Sequence, residues 1–119
     1  MSVLLTASLA AFTVVAVLGV LIAADLLRGR PVERQFILTH AGIAVLGALL
    51  AIGAALQGDK RVYINIALVV VIVILGVMAG HKRYATGQVQ KGLILAHAAL
   101  AVICYLILAA NTFGFNLLG

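Results

Sequence analysis

Two long apolar runs, residues 36–56 and 93–111, limit what this chain can fold into. Each has close to the roughly 20 residues that an α-helix needs to cross a bilayer, and neither contains Lys, Arg, Asp or Glu. Each also carries one histidine near its beginning, His40 in the first run and His97 in the second. Because lipid offers no hydrogen-bond partners, the backbone of such a run must satisfy itself, as a helix does. We therefore expect both runs to be transmembrane helices.

The composition predicts that the whole chain belongs in a membrane. Apolar residues make up 66% of it and charged residues 9%, which excludes an ordinary soluble domain. No polar–apolar alternation indicates the strands of a barrel. Nothing basic precedes Val3, so the first run is interpreted as a retained helix rather than a signal peptide. We predict an all-α integral membrane protein, one domain over residues 1–119, with transmembrane helices over residues 3–27, 36–56, 63–80 and 93–111.

The sequence also repeats itself at an offset of 57 residues. Residues 18–20 recur as residues 75–77, and His40 recurs as His97. We interpret the chain as two tandem two-helix repeats, about 1–57 and about 58–119. Helices joined by short loops alternate in direction, which predicts an up-down bundle. Two parallel copies would be related by a pseudo-twofold axis along the membrane normal. The two histidines would then lie at one depth and could face each other.

The basic residues predict the orientation of the bundle. Cytoplasmic loops carry an excess of Lys and Arg. Loops 28–35 and 81–91 hold six of these residues, whereas the opposite side has two, Lys60 and Arg61. This places both loops in the cytoplasm and both termini outside, in a bacterial inner membrane. The same rule accounts for the net charge of +5, so no nucleic-acid partner is expected.

The paired histidines are the candidate functional residues, because an ionisable side chain in a membrane span is costly to bury. Small residues follow one turn later on the same faces, and they could allow either close helix packing or space for a flat cofactor. A planar iron porphyrin between two neutral imidazoles would fit. Its propionates would need cations on the histidine side, although topology alone would also place cations there. The candidate cofactor-binding residues are His40, His97, Arg34, Lys91, Ala44 and Ala101, with the two histidines as ligands of the haem iron.

Other residues near these helices have simpler interpretations. His81 is expected to be a solvated histidine at a helix end, with an alternative role as a ligand or as a proton carrier for a quinone. Gly19 and Gly76, with Ala23 and Gly80, are expected to set helix contacts.

Four membrane helices with His40 and His97 on a duplicated hairpin resemble small four-helix b-type cytochromes, such as cytochrome b561-like haem anchors. The resemblance implies haem b, electron transfer and often a reaction with quinone. The chain departs from the two-haem b561 pattern, because it has no second histidine pair on the opposite side of the membrane.

The expected function is therefore a membrane b-type haem electron-transfer protein, or the membrane-anchor subunit of a larger redox complex. No carboxylate pair, metal-ligand cluster or nucleophile–base pattern is present, so catalysis by this chain alone is not expected, although it could belong to an oxidoreductase. The main alternative is a cofactor-free accessory subunit of a larger membrane complex, and a chlorophyll-type pigment protein is a third. Expected partners are the lipid bilayer and other membrane subunits or a redox protein; a homodimer remains open.

Overall fold

A computed structural model describes residues 2–115, and helices make up most of this part of the chain. No strand occurs in it, and all four long helices are long and apolar enough to cross a membrane. These observations confirm the predicted all-α, four-helix fold class. Residue 1 and residues 116–119, which the predicted repeats include, lie outside the described residues. The helices are α1 (Val3–Leu27), α2 (Arg34–Leu56), α3 (Tyr63–Thr86) and α4 (Lys91–Thr112), and a short 3-10 helix (Lys60–Val62) leads into α3.

The end of α3 differs from the sequence-based prediction. Residues 81–86, expected to lie in a cytoplasmic loop over 81–91, continue the helix to Thr86. The predicted end at residue 80 followed the loss of apolar character, but a helix continues in polar sequence until its backbone is interrupted. The interruption comes at Gly87, which has a φ of 71° and caps the helix in the left-handed conformation that glycine adopts readily. Only residues 87–90 connect α3 to α4.

The beginnings of α2 and α4 also lie outside the predicted apolar runs. Arg34 and Lys91, expected in loops, are the first residues of these helices. A first helical turn tolerates polar side chains because they extend away from the apolar part of the helix. As a result, His40 and His97 are each the seventh residue of their helix, about 9 Å along its axis from the first.

The helices form two antiparallel hairpins. In the first, Ser8 contacts Gly47 and Val15 contacts His40, so residue numbers rise along α1 as they fall along α2. In the second, α3 runs in the same way along α4. The hairpins pack so that α1 contacts α4 and α2 contacts α3, whereas α2 and α4 lie diagonally opposite each other, as do α1 and α3. This arrangement directs one face of α2 and one face of α4 towards the interior.

Equivalent polar contacts occur in the two hairpins. The buried Ser8 hydroxyl donates to the carbonyl oxygen of Gly47 at 2.8 Å. In the second hairpin, the buried Asn65 amide donates to the carbonyl oxygen of Cys104 at 2.9 Å. Both partners differ by 57 residues between the two contacts. Each hairpin is therefore joined at the same level by one side chain that bonds a backbone carbonyl of the neighbouring helix.

A polar network closes the end of the bundle at the 3-10 helix, which lies opposite the histidines. Arg61 donates to the carbonyl oxygen of Asn111 at 3.0 Å, and the Asn111 amide donates to the carbonyl oxygen of Arg61 at 3.2 Å. The same amide reaches Asn65 Oδ1 at 3.5 Å. Arg61 also binds both carboxylate oxygens of Asp59, and its guanidinium holds the pKa of this carboxyl below its usual range. The network ties the beginning of α3 to the end of α4.

Replacement of Asn65 by Ala is expected to lower the free energy of unfolding by about 1–2 kcal/mol. The variant loses the interhelical hydrogen bonds of the Asn65 amide with Cys104 and Asn111, each of which contributes roughly 0.6 kcal/mol in a membrane, and leaves a small cavity at a buried position. Thr39→Ala is the control, because the Thr39 hydroxyl is exposed and bonds only within its own helix. The free energy of unfolding of both variants is measured in mixed micelles of increasing denaturing-detergent content. Equal decreases in this free energy would contradict the prediction.

Candidate functional site: paired histidines inside the bundle

The structure brings the two histidine rings together in the interior of the bundle. The centroids of the His40 and His97 rings lie 6.3 Å apart, and the ring planes are inclined by 63°. The rings belong to diagonally opposite helices, in which no Cα atom of one lies within 8 Å of a Cα atom of the other. Both side chains are partly buried. The two imidazoles therefore bridge the space between α2 and α4.

One nitrogen of each ring is held by a backbone carbonyl of the same hairpin. His40 Nδ1 lies 3.0 Å from the carbonyl oxygen of Val15, and His97 Nδ1 lies 2.8 Å from that of Ile72. A carbonyl oxygen only accepts hydrogen bonds, so Nδ1 carries the proton in each ring. In a neutral imidazole the lone pair is then on Nε2. Within residues 2–115, neither Nε2 has a hydrogen-bond partner. The lone pair of each Nε2 is therefore available to bind a metal ion.

Two glycines give the rings access to these carbonyls. Gly19 and Gly76 are each four residues after the carbonyl that accepts the hydrogen bond, and a helical side chain at that position would lie beside it. A Cβ atom at Gly19 would be 2.9 Å from His40 Cε1, and one at Gly76 would be 3.0 Å from His97 Cε1. Such distances are too short for ordinary packing. The prediction that these glycines set helix contacts agrees with this close approach, which brings a ring of the neighbouring helix against each of them. For Gly80 it is wrong, because a Cβ atom there would meet nothing within 4 Å.

The other predicted site residues form no hydrogen bond with the pair in the part of the chain that the structure describes. Ala44 and Ala101 are one turn beyond the histidines and are half-buried. Arg34 and Lys91 are exposed at the first positions of α2 and α4, and neither forms an ion pair within residues 2–115. His81 is exposed on α3. Their assignment to a cofactor, and the alternative role of His81 as a ligand or proton carrier, stay predictions.

The donor set of the pair limits the metals that it could bind. In the described part of the chain, no group of three or more His, Cys, Asp or Glu side chains could hold a metal ion. Zinc sites normally use three or four protein ligands, so two imidazoles alone are a poor zinc site. An iron porphyrin has four equatorial nitrogens of its own and needs only axial ligands from the protein. Two imidazole nitrogens suit that requirement.

Comparison with known proteins adds no family to this geometry. A function is therefore argued from the geometry of the two rings, their carbonyl partners and the two glycines. The chain matches no protein-family model, no curated protein and no solved structure.

Proposed function

We propose that this protein is an integral membrane b-type haem protein that transfers electrons, alone or as the anchor subunit of a larger redox complex. His40 and His97 would hold the haem iron. The observation that carries the proposal is the meeting of the two rings inside the bundle, with their centroids 6.3 Å apart. Because Nδ1 of each ring already bonds a backbone carbonyl, Nε2 of each ring would be the ligating atom.

The hydrogen bonds at Nδ1 support the same assignment. A metal-bound histidine usually donates its other N–H to a carboxylate, a carbonyl or water, which fixes its tautomer and makes the ligating nitrogen more basic. His40 and His97 make such a bond to Val15 and Ile72. The rings are therefore held with the tautomer that a ligand needs.

Haem, when bound, supplies a one-electron iron couple. The chain's own residues would set the conditions for it. Gly19 and Gly76 leave room for the rings beside the carbonyls that they bond. The surrounding apolar side chains would limit access of water. Arg34 and Lys91 lie on the histidine side, where cations suit carboxylate groups such as propionates. A membrane quinone or another redox subunit would exchange the electrons.

The proposal includes a position in the membrane. The four helices would cross a bacterial inner membrane, with the histidine side and its basic residues in the cytoplasm and both termini outside. The connection between α3 and α4 is residues 87–90 rather than the predicted 81–91. The proposed orientation is unchanged, because Lys82 and Arg83 lie near the same end of α3. Tandem duplication of a hairpin is also part of the proposal, and the contacts of Ser8 and Asn65 support it because they recur at the repeat offset.

A second candidate function is that of a cofactor-free accessory subunit in a larger membrane complex. The ring geometry favours it too, because aromatic pairs pack at centroid distances of 4.5–7 Å in edge-to-face arrangements. His40 and His97 would then be packing residues that link α2 to α4.

A reduced-minus-oxidised absorption spectrum of the purified protein distinguishes these functions, together with a pyridine haemochrome assay. The haem proposal expects a b-type spectrum and about one haem per chain, since the described residues contain one histidine pair. Absence of a b-type spectrum after reconstitution with haem would contradict the haem proposal and favour the accessory subunit.

A further inference from the structure

The two hairpins contact each other along α1 and α4 and along α2 and α3, and we call these interfaces the α1–α4 seam and the α2–α3 seam. The two seams are not equivalent. In the α1–α4 seam, the half-buried Tyr105 links the two helices, because its hydroxyl lies 2.7 Å from that of Thr13. The Thr13 hydroxyl donates to the carbonyl oxygen of Leu9, so Tyr105 is the donor between the two side chains. The positions at the repeat offset in the α2–α3 seam are Ala48 and Val70. A methyl group therefore replaces the phenol, and no hydrogen bond is possible there.

The substitution leaves an open apolar groove in the α2–α3 seam. Ala48 and Ile52 of α2 form one wall, and aliphatic side chains between Ile66 and Ile74 of α3 form the other. The groove has a volume of about 280 Å³. Its side chains are all Ala, Val or Ile, so no side chain in it can bond a polar occupant.

The length and position of the α2–α3 groove fit one leaflet of a bilayer. Ile66 and Ile74 are eight residues apart, a rise of about 12 Å along a helix. One leaflet contributes about 15 Å, half of the hydrocarbon thickness. The groove lies in the half of the molecule that ends at the 3-10 helix, because α3 begins at Tyr63.

A cation lies at the end of the bundle nearest the α2–α3 groove. Lys60 is exposed in the connection between α2 and α3, the two helices that form the groove. Its neighbour Arg61 is engaged by Asp59 and Asn111, whereas Lys60 forms no ion pair within residues 2–115. An apolar groove below an unpaired ammonium matches a molecule with an apolar chain and an anionic head.

We propose that the α2–α3 groove binds one acyl chain of an anionic phospholipid, whose phosphate is held by Lys60. A flexible chain can fill a groove that has no hydrogen-bonding side chain, and the phosphate complements the Lys60 charge. The lipid takes the place that Tyr105 occupies in the other seam. This inference does not depend on haem.

The test introduces the side chains of the α1–α4 seam at the equivalent positions of the α2–α3 seam. The double variant Ala48→Tyr/Val70→Thr places the Tyr105–Thr13 pair in the α2–α3 groove, and Ala48→Leu fills it with an aliphatic side chain if the double variant does not fold. Thermal unfolding in detergent is followed while phosphatidylglycerol or phosphatidylcholine is added, and native mass spectrometry counts bound lipids. The wild-type protein is expected to bind one phosphatidylglycerol and to gain thermal stability, and the filled variant is expected to lose both effects.

The head-group contact is tested separately. Lys60→Gln is expected to weaken binding of phosphatidylglycerol about fivefold and to leave binding of phosphatidylcholine unchanged, the size expected for one cation near a membrane surface. Lys82→Gln is the matched control, because this exposed lysine lies near the other end of α3. Equal lipid binding in wild-type and filled variants would overturn the proposal. Conversion of a wild-type dimer to a monomer on filling the groove would also overturn it, since the occupant would be a second copy.

Discussion

Replacement of either His40 or His97 by alanine is expected to abolish the b-type absorption spectrum and to reduce haem content at least about tenfold. The two rings are the only pair of facing imidazoles in the described part of the chain, so neither has a substitute. Loss of a residue that merely supports a ligand already reduces metal affinity 10- to 100-fold, and loss of a ligand should have no smaller effect. The measurement is the pyridine haemochrome of each purified variant.

Two controls separate loss of a ligand from loss of the fold. His81→Ala removes an exposed histidine on α3 and is expected to retain haem. Added imidazole is expected to restore part of the spectrum in His40→Ala and His97→Ala, because a small ligand can enter the space that the side chain vacates. Haem that persists in both single variants without imidazole would contradict the proposed function.

Replacement of Gly76 by valine is expected to displace the His97 ring, and Gly19→Val is expected to displace the His40 ring. A Cβ atom at either position would already lie within 3.0 Å of the ring, and a branched side chain adds two methyl groups. Overpacking of this kind costs about 1–3 kcal/mol of unfolding free energy. Displacement also breaks the hydrogen bond at Nδ1, for which a 10- to 100-fold loss of haem affinity is expected.

Gly80→Val provides a matched control for Gly76→Val within the same helix. A Cβ atom at Gly80 would meet nothing within 4 Å, so the variant changes helix propensity by a similar amount without touching a ring. Unfolding in mixed micelles compares the two, and this comparison applies whether or not haem binds. If both variants were equally stable and retained equal haem, the proposed contact between Gly76 and His97 would be wrong.

Apolar runs predicted the helices of this chain better than their ends. The first helix, expected over residues 3–27, has those bounds in the structure because polar residues and a glycine follow it directly. The third helix continues past its predicted end, because residues 81–86 are mostly polar but contain no glycine or proline that would interrupt a helix. Hydropathy reports which residues prefer lipid, whereas helix ends depend on backbone conformations such as that of Gly87.

The repeat predicted part of the candidate site. It indicated that His40 and His97 could face each other, and in the structure their rings do. The same offset relates Gly19 to Gly76. Small residues in membrane helices commonly serve helix packing, and no feature of the sequence indicates that a histidine ring packs against these two glycines. Ser8 and Asn65 were missed because a single polar residue in an apolar run forms no pattern. The offset that joins them was the available signal. Haem binding itself stays a prediction.

The carbonyl contacts of the two rings make each hairpin a preassembled half of the site. His40 is oriented by α1 and His97 by α3, so neither ring depends on the other hairpin for its orientation. A separate hairpin with one oriented ring would need a second copy to complete the pair, and the fraction completed would vary with its abundance in the membrane. Residues 57–59 join the two halves covalently and convert this encounter into an intramolecular one with a high effective concentration. Occupancy of the proposed haem site would then be independent of expression level.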